Sequence, residues 1–231
     1  MLGIIGAMDI EINKLIDAME VEAKTEAAGI TFHKGVLKGC SVVVARSGVG
    51  KVCAAVCAQL MVTLFGVDAI VNTGVAGGIM SDLRQCDIIV ADAFVQHDVD
   101  TSPLGDPRGY ISELGVVEMV CSHRLSSMLC DISAEARQGQ IATGDQFIAD
   151  HDRAKEIAIN FGAAACDMEG GAIAQVCTSN NVPLVMIKGI SDVHGSKTAQ
   201  EQFFANLKEV AAGFPDVILK VINEVCKAKN S

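Results

Sequence analysis

The 231-residue sequence contains no tryptophan, and aromatic residues make up only 4% of it. Large aromatic side chains therefore cannot dominate the core, although half of the residues are hydrophobic. An interior of Val, Ile, Leu, Ala and Met is typical of a parallel or mixed sheet that is buried on both faces. The length is compatible with one large domain, and we expect a single domain over residues 1–231.

Basic residues are also too few to balance the acidic ones, so the formal net charge is −10 at pH 7. Binding to a nucleic-acid backbone or to an anionic membrane requires a basic face, so we expect neither partner. No segment approaches the roughly 20 apolar residues that a membrane span requires. The apolar run at residues 2–8 has no basic segment before it and is interrupted by Asp9, which argues against a secretory signal. We therefore expect a cytoplasmic protein.

The nine cysteines show no pairing pattern, because their number is odd and no C-x-x-C motif occurs. This distribution is typical of small buried side chains in a reducing compartment and indicates neither a disulfide framework nor a zinc site. His97, followed by Asp98 and Asp100, could hold a metal, but a histidine satisfied at the edge of a loop is the favoured interpretation. We predict no metal and no cofactor.

Short apolar segments alternate with helical segments along the chain, apart from one early hairpin. We predict strands at residues 2–8, 69–73, 88–91, 138–143, 163–166 and 184–190, a hairpin over 30–46, and helices over 9–19, 51–65, 124–129, 152–160 and 201–227. Residues 74–78 are interpreted as a glycine-rich turn and residues 98–119 as a long functional loop. This alternation predicts a layered α/β protein.

Acidic residues follow several of the predicted strands. The apolar run before Asp167 and Glu169 is followed by two glycines and a helix, so these acids could occupy a ligand site at a strand end. They could equally charge the first turn of that helix, which favours negative residues. If the strands share one sheet, Glu11, Glu169 and Asp192 face one pocket, where burial and repulsion would separate their pKa values into an acid and a base.

Motifs for other nucleotide chemistry are incomplete. The run Gly48-Val-Gly-Lys51 resembles the end of a P-loop, but Ala45 and Val52 stand where that motif needs a glycine and a hydroxyl residue. Neither glycine cluster in the chain has the G-x-G-x-x-G spacing of a dinucleotide site. Ser191 lacks the G-x-S-x-G turn of a hydrolase nucleophile.

Six short motifs occur in order: Gly3-Ile-Ile-Gly-Ala-Met8 with Glu11, Ser47-Gly-Val-Gly-Lys51, Asn72-Thr-Gly-Val-Ala-Gly-Gly78, Gly144-Asp-Gln-Phe-Ile148, Asp167-Met-Glu169 and Ile190-Ser-Asp-Val193. Together they resemble the bacterial 5′-methylthioadenosine/S-adenosylhomocysteine nucleosidases of the nucleoside phosphorylase superfamily, over about residues 2–225. The resemblance implies a three-layer αβα fold around a mixed, partly barrelled sheet. It also implies a homodimer with a small-molecule nucleoside substrate, and hydrolysis of that substrate's N-glycosidic bond to adenine and a thioribose.

The resemblance also implies residue roles. Asp192 would protonate adenine N7, Glu11 would activate water, and Glu169 would hold the ribose hydroxyls next to Met168. Phe147 and Ile148 would bind adenine, and residues 97–107 would reach into the neighbouring subunit's site. The 5′-alkylthio pocket would be lined by Met8, Val49, Met168 and Phe203 or Phe204, and further substrate-binding positions would be Val75, Ala76, Gly77, Asp167, Lys188 and Ser191.

Three residues depart from the family pattern: Val75 replaces a frequent serine, Lys188 an arginine, and Asp167 a glutamate. Purine nucleoside phosphorylase activity is an alternative, although Val75 and Asn72 stand where phosphorylases place anion-binding residues. A non-catalytic nucleoside-binding module is a second alternative. The preferred 5′ substituent stays open among methylthioadenosine, S-adenosylhomocysteine, 5′-deoxyadenosine and aminodeoxyfutalosine.

Overall fold

The computed structural model describes residues 1–132, 136–193, 203, 207, 210 and 218–224. The elements are β1 (Leu2–Gly6), α1 (Asp9–Ala18), β2 (Glu20–Ala27), β3 (Ile30–Leu37), β4 (Cys40–Arg46), α2 (Lys51–Phe65), β5 (Ala69–Gly78), β6 (Ile88–Gln96), a 3-10 helix (Ser102–Leu104), β7 (Met119–Val120), α3 (His123–Ile132), β8 (Ala136–Thr143), α4 (His151–Phe161), β9 (Ala165–Asp167), α5 (Gly170–Ser179) and β10 (Leu184–Val193). The predicted α/β class is confirmed.

The strands form one mixed sheet that is partly closed. Strands β5, β10, β6, β8 and β9 follow one another as a ring, because β10 pairs with both β6 and β5. Strands β1, β4, β3 and β2 continue the sheet outward from β5. β1 is parallel to both of its neighbours, and β10 is parallel to β5, so the carboxyl ends of these strands lie at one edge.

Helices cover both faces of the sheet. The fully buried neighbours Ile4 and Ile5 of β1 belong to two different core clusters, one on each face. Helices α2 and α5 pack against each other on the Ile5 side, and α1, α3 and the helical residues 218–224 pack on the Ile4 side. A strand buried on both faces is apolar at successive positions, which explains the continuous apolar runs in the sequence.

Several element boundaries differ from the prediction. Strand β2 was not predicted, because its residues are almost all exposed at the sheet edge and give no alternating apolar signal. Residues 74–78 were predicted as a turn, but they belong to β5 and pair with β9 and β10. Strand β10 continues beyond residue 190 to Val193. The predicted closing helix at 201–227 lies mainly outside the described residues.

The cysteine prediction holds for most of the described thiols. Free thiols occur at Cys53, Cys57, Cys121, Cys166 and Cys177. Cys40 is disulfide-bonded, so the expectation of unpaired cysteines is wrong at this position. Within the described ranges, no helix is long and apolar enough to cross a membrane.

Candidate active site

Seven chain segments of the described residues line one cavity, which lies at the carboxyl ends of β1, β5 and β10. Strand β9 is antiparallel to β5 but pairs only with its last residues, with Cys166 opposite Gly77. Asp167, the next residue, consequently lies beside the same edge. The cavity encloses about 600 Å³, including its open mouth.

The cavity is lined by Ala7, Met8, Glu11, Val49, Val75, Ala76, Gly77, Gln146, Phe147, Ile148, Cys166, Asp167, Met168, Glu169, Ser191, Asp192 and Phe203. These include every predicted site residue except Lys188, which lies behind the wall, and Phe204, which lies outside the described residues. The sequence reasoning missed Ala7, Gln146 and Cys166. Each directly precedes a residue that was predicted, and this adjacency was the available signal.

Glu11 lies in the first turn of α1 with its carboxylate held by backbone groups of two elements. Its Oε2 accepts hydrogen bonds from the N–H groups of Ala7 (2.7 Å) and Met8 (2.9 Å), and its Oε1 accepts one from Val75 (3.1 Å). A side chain at Gly74 would collide with this carboxylate, since a Cβ there would lie 2.5 Å from Oε1. Burial raises the pKa of Glu11, although Lys188 and the three N–H bonds act in the opposite direction.

Glu169 immediately precedes α5 and is also buried. Its Oε1 accepts a hydrogen bond of 2.9 Å from the N–H of Gly50, which adopts a φ of 98° in the turn before α2. Burial raises the pKa of Glu169 to about 7; Lys188 opposes this shift and Asp167 adds to it. A carboxyl group of this kind can change its charge near neutral pH.

Asp167 and Lys188 form a buried ion pair beneath the cavity, with 3.1 Å between the Asp167 Oδ2 and the Lys188 Nζ. Asp167 Oδ2 also accepts the N–H of Gly170 at 2.9 Å, and Asp167 Oδ1 accepts the hydroxyl of Thr143 at 2.5 Å. Burial alone would lower the pKa of Lys188, but the surrounding carboxylates, Asp167 first among them, raise it. The ammonium group is therefore charged, and Asp167 serves mainly to hold it.

Ser191 and Asp192 lie near the end of β10, and each is only 1% exposed. The β10–β5 register shifts between Ile190 and Asp192, and such an irregularity re-aims the side chains that follow it. The Ser191 hydroxyl donates a hydrogen bond of 2.7 Å to Asp192 Oδ1. This bond helps to fix the orientation of the Asp192 carboxyl group, which lines the cavity.

One wall of the cavity is apolar and partly aromatic. The rings of Phe147 and Phe203 pack edge to face, with centroids 5.4 Å apart. Ile148 is buried beside them, and Phe147 is 46% exposed toward the opening. An exposed aromatic face next to an aliphatic side chain suits a flat heterocyclic ring.

The cavity combines four acidic residues, Glu11, Asp167, Glu169 and Asp192, with an apolar wall, and its described lining contains no Lys, Arg or His. Such a site disfavours an anionic ligand and can stabilise positive charge that develops on a neutral one. Among the described residues, no group of three His, Cys, Asp or Glu side chains is arranged to hold a metal. The chemistry that these groups support is proton transfer to and from a bound organic molecule.

Comparison with known proteins identifies the class that shares this fold and cavity. A sequence model of the phosphorylase superfamily matches residues 1–223, and the chain belongs to this superfamily. The 5′-methylthioadenosine/S-adenosylhomocysteine nucleosidase of Shewanella pealeana is 40% identical over 200 residues, covering 83% of this chain and 85% of that protein. Within the superfamily, the chain belongs to the bacterial 5′-methylthioadenosine/S-adenosylhomocysteine nucleosidase family.

Solved structures agree with this assignment. The futalosine hydrolase of Helicobacter pylori superimposes with a TM-score of 0.91 at 32% identity, covering 96% of this chain and 97% of that chain. An aspartate-to-asparagine variant of the Helicobacter pylori nucleosidase, with 5′-methylthioadenosine in its active site, has the same TM-score and identity and covers 96% of this chain and 98% of that chain. The predicted nucleoside phosphorylase-like fold is therefore confirmed.

Proposed function

We propose that the protein hydrolyses the N-glycosidic bond of 5′-methylthioadenosine and S-adenosylhomocysteine, releasing adenine and the 5′-thioribose product. The observation that carries this proposal is the cavity itself, in which Glu11, Glu169 and Asp192 meet beside an aromatic wall and without a cation in the described lining. The family membership supports the same reaction, since the Shewanella pealeana relative is a nucleosidase for these two substrates.

In this mechanism Asp192 donates a proton to adenine N7, which turns the base into a neutral leaving group. The C–N bond then breaks, and its electron pair stays with adenine. The sugar acquires oxocarbenium character, which the Glu169 carboxylate stabilises electrostatically while accepting hydrogen bonds from the ribose hydroxyls. Glu11 accepts a proton from a water molecule as the water oxygen forms its bond to the anomeric carbon. One proton is thus donated by Asp192 and one is accepted by Glu11.

The remaining wall residues would place the substrate. Phe147 stacks on the adenine ring, and the backbone at Ile148 bonds its edge, while Met168 packs below the ribose. Met8, Val49 and Phe203 surround the 5′-alkylthio group with apolar surface. In this scheme the Lys188 ammonium, which does not line the cavity, opposes the rise in the pKa values of Glu11 and Glu169 that burial causes.

The proposal is tested by following adenine release from 5′-methylthioadenosine in phosphate-free buffer. The wild-type protein should turn over, and Glu11→Gln should lose on the order of 10²–10⁴-fold in kcat while still binding the nucleoside. Normal turnover by Glu11→Gln would remove this residue as the base. Turnover by the wild type only when phosphate is added would replace hydrolysis with phosphorolysis.

A second substrate class follows from one comparison. The futalosine hydrolase of Helicobacter pylori covers nearly the whole of this chain, so aminodeoxyfutalosine is a candidate substrate of the same site. A profile of kcat/KM over methylthioadenosine, S-adenosylhomocysteine, 5′-deoxyadenosine and aminodeoxyfutalosine distinguishes these activities. The proposed function predicts that the two thioether nucleosides are preferred, and a preference for aminodeoxyfutalosine would reassign the substrate.

We also propose a homodimer in which residues 97–107 reach the neighbouring site. Leu104, in this segment, is 84% exposed, and Val52 at the start of α2 is 74% exposed. In a homodimer, the partner chain would cover exposed apolar side chains of this kind. Sedimentation should give a dimer, and Leu104→Glu should dissociate it and weaken nucleoside binding. A fully active wild-type monomer would contradict this proposal.

A further inference from the structure

Three hydrogen bonds close a ring around Lys51, Asp98 and Asp145, which we name the Lys51 ring. The backbone N–H of Lys51 donates to Asp145 Oδ1 at 2.7 Å, and the N–H of Asp145 donates to Asp98 Oδ2 at 2.9 Å. The ring is completed by the Lys51 ammonium, which lies 2.6 Å from Asp98 Oδ1. Residues from three separate segments, distant in sequence, are therefore joined at one point.

None of the three members of the ring lines the cavity, but two of them are next to residues of the site in sequence. On one side, Asp145 is followed by Gln146, Phe147 and Ile148, which form the aromatic wall. On the other side, Lys51 is preceded by Gly50, whose N–H holds the Glu169 carboxylate. The ring thus joins the segment that would contact the base to the turn that holds the acid proposed to contact the sugar.

The Lys51–Asp98 ion pair of the ring is largely shielded from water, whereas Asp145 is exposed. The side chains of Lys51 and Asp98 are 18% and 16% exposed, and the ammonium also donates to Gln96 Oε1 at 3.1 Å. Gln96 in turn donates to Gln175 of α5 at 2.7 Å. A shielded ion pair with several hydrogen bonds has one preferred geometry, unlike an exposed pair between flexible side chains.

We propose that Lys51 is a positioning residue that sets the distance between the base-binding wall and the sugar-binding acid. The proposal rests on the proposed function for its substrate, but not on turnover. Replacing the ammonium leaves Asp98 without its cation and frees residues 145–148 to shift relative to Glu169. Such a shift weakens the contacts of a bound nucleoside with both segments, while Glu11 and Asp192 accept hydrogen bonds from residues outside the ring.

The experiment compares Lys51→Met, Asp98→Asn and the double variant with Lys155→Met, in which the changed lysine is exposed on α4. KM for 5′-methylthioadenosine and Kd for adenine should rise on the order of tenfold in each ring variant, while kcat stays within about threefold. The double variant should be no worse than either single variant, because both remove the same interaction. Lys51→Arg should recover part of the affinity, and Lys155→Met should match the wild type.

Unchanged adenine affinity in Lys51→Met would overturn the proposal, as would fully additive effects in the double variant. A fall in the melting temperature with KM and Kd unchanged would assign Lys51 a purely structural role and would equally overturn it. Absence of turnover in every protein, including the wild type, would refute the proposed function, while the adenine affinities would still decide the role of Lys51.

Discussion

Asp167 and Glu169 are two residues apart and both buried, yet the groups around them differ sharply. Asp167 contacts the Lys188 ammonium, the Thr143 hydroxyl and a backbone N–H. Glu169 accepts one backbone N–H, and its pKa is raised to about 7. The comparison teaches that direct contact with an ammonium group distinguishes the acid that supports the site from those proposed to react in it. We expect Glu11, Glu169 and Asp192 to control the reaction and the Asp167–Lys188 ion pair to control stability.

Asp192→Asn is expected to have the largest effect among the cavity-facing acids. The asparagine can still accept the Ser191 hydroxyl but has no acidic proton for the base, so kcat should fall on the order of 10²–10⁴-fold. Steady-state kinetics measures the loss, and the melting temperature of the same sample serves as control. Retained activity would remove Asp192 as the proton donor.

Lys188→Met tests the ion pair beneath the cavity. The change leaves Asp167 as an uncompensated buried charge, so the free energy of unfolding should fall by about 3–5 kcal/mol in urea denaturation. The double variant with Asp167→Asn should recover much of this loss, because no buried charge remains. If the single variant is as stable as the wild type, the pair does not have the structural role described here.

Glu169→Gln tests the opposite situation, a buried acid with few donors. Since the folded state raises the pKa of Glu169 from 4.5 to about 7, it binds the proton more tightly than the unfolded chain does. This contribution to the free energy of unfolding is complete below pH 4.5 and is lost as the pH rises to about 7. At about 1.4 kcal/mol per pKa unit, the contribution is on the order of 3 kcal/mol. Glu169→Gln should flatten this part of the pH profile of urea unfolding, whereas an unchanged profile would contradict the raised pKa.

Val75→Ser should have the smallest effect. The contact between this position and Glu11 is made by the backbone N–H, which the substitution leaves in place. We expect kcat within about threefold of the wild type, which is below 1 kcal/mol in activation free energy. A gain of tenfold or more would show that the side chain at this position helps to hold the attacking water.

The difference between the reacting acids and the Asp167–Lys188 pair also shows how far the site could be predicted from the sequence. Glu11, Glu169 and Asp192 follow apolar strands, and parallel strands bring their carboxyl ends together, so the shared cavity was predictable. The Asp167–Lys188 pair was not predictable, because it joins β9 and β10, which lie on opposite sides of β5 in the closed ring. The pair joins two of the residues that depart from the family pattern, and only the fold shows that they contact each other.

The edge strand of the sheet shows a second limit of prediction from the sequence. Strand β2 has no apolar face, and its place in the sheet comes from its hydrogen bonds to β3. Pattern analysis detects burial rather than hydrogen bonding, so an exposed strand escapes it. The glycines of β5 were assigned to a turn for a related reason: glycine usually marks a break, but here Gly74 leaves space for the Glu11 carboxylate.

The most direct test of the account is the identity of the sugar product formed from 5′-methylthioadenosine in phosphate buffer, determined by mass spectrometry. A cavity that presents carboxylates and no cation in its described lining should exclude phosphate and admit water. The account predicts free 5-methylthioribose together with adenine. A sugar 1-phosphate as the main product would contradict it.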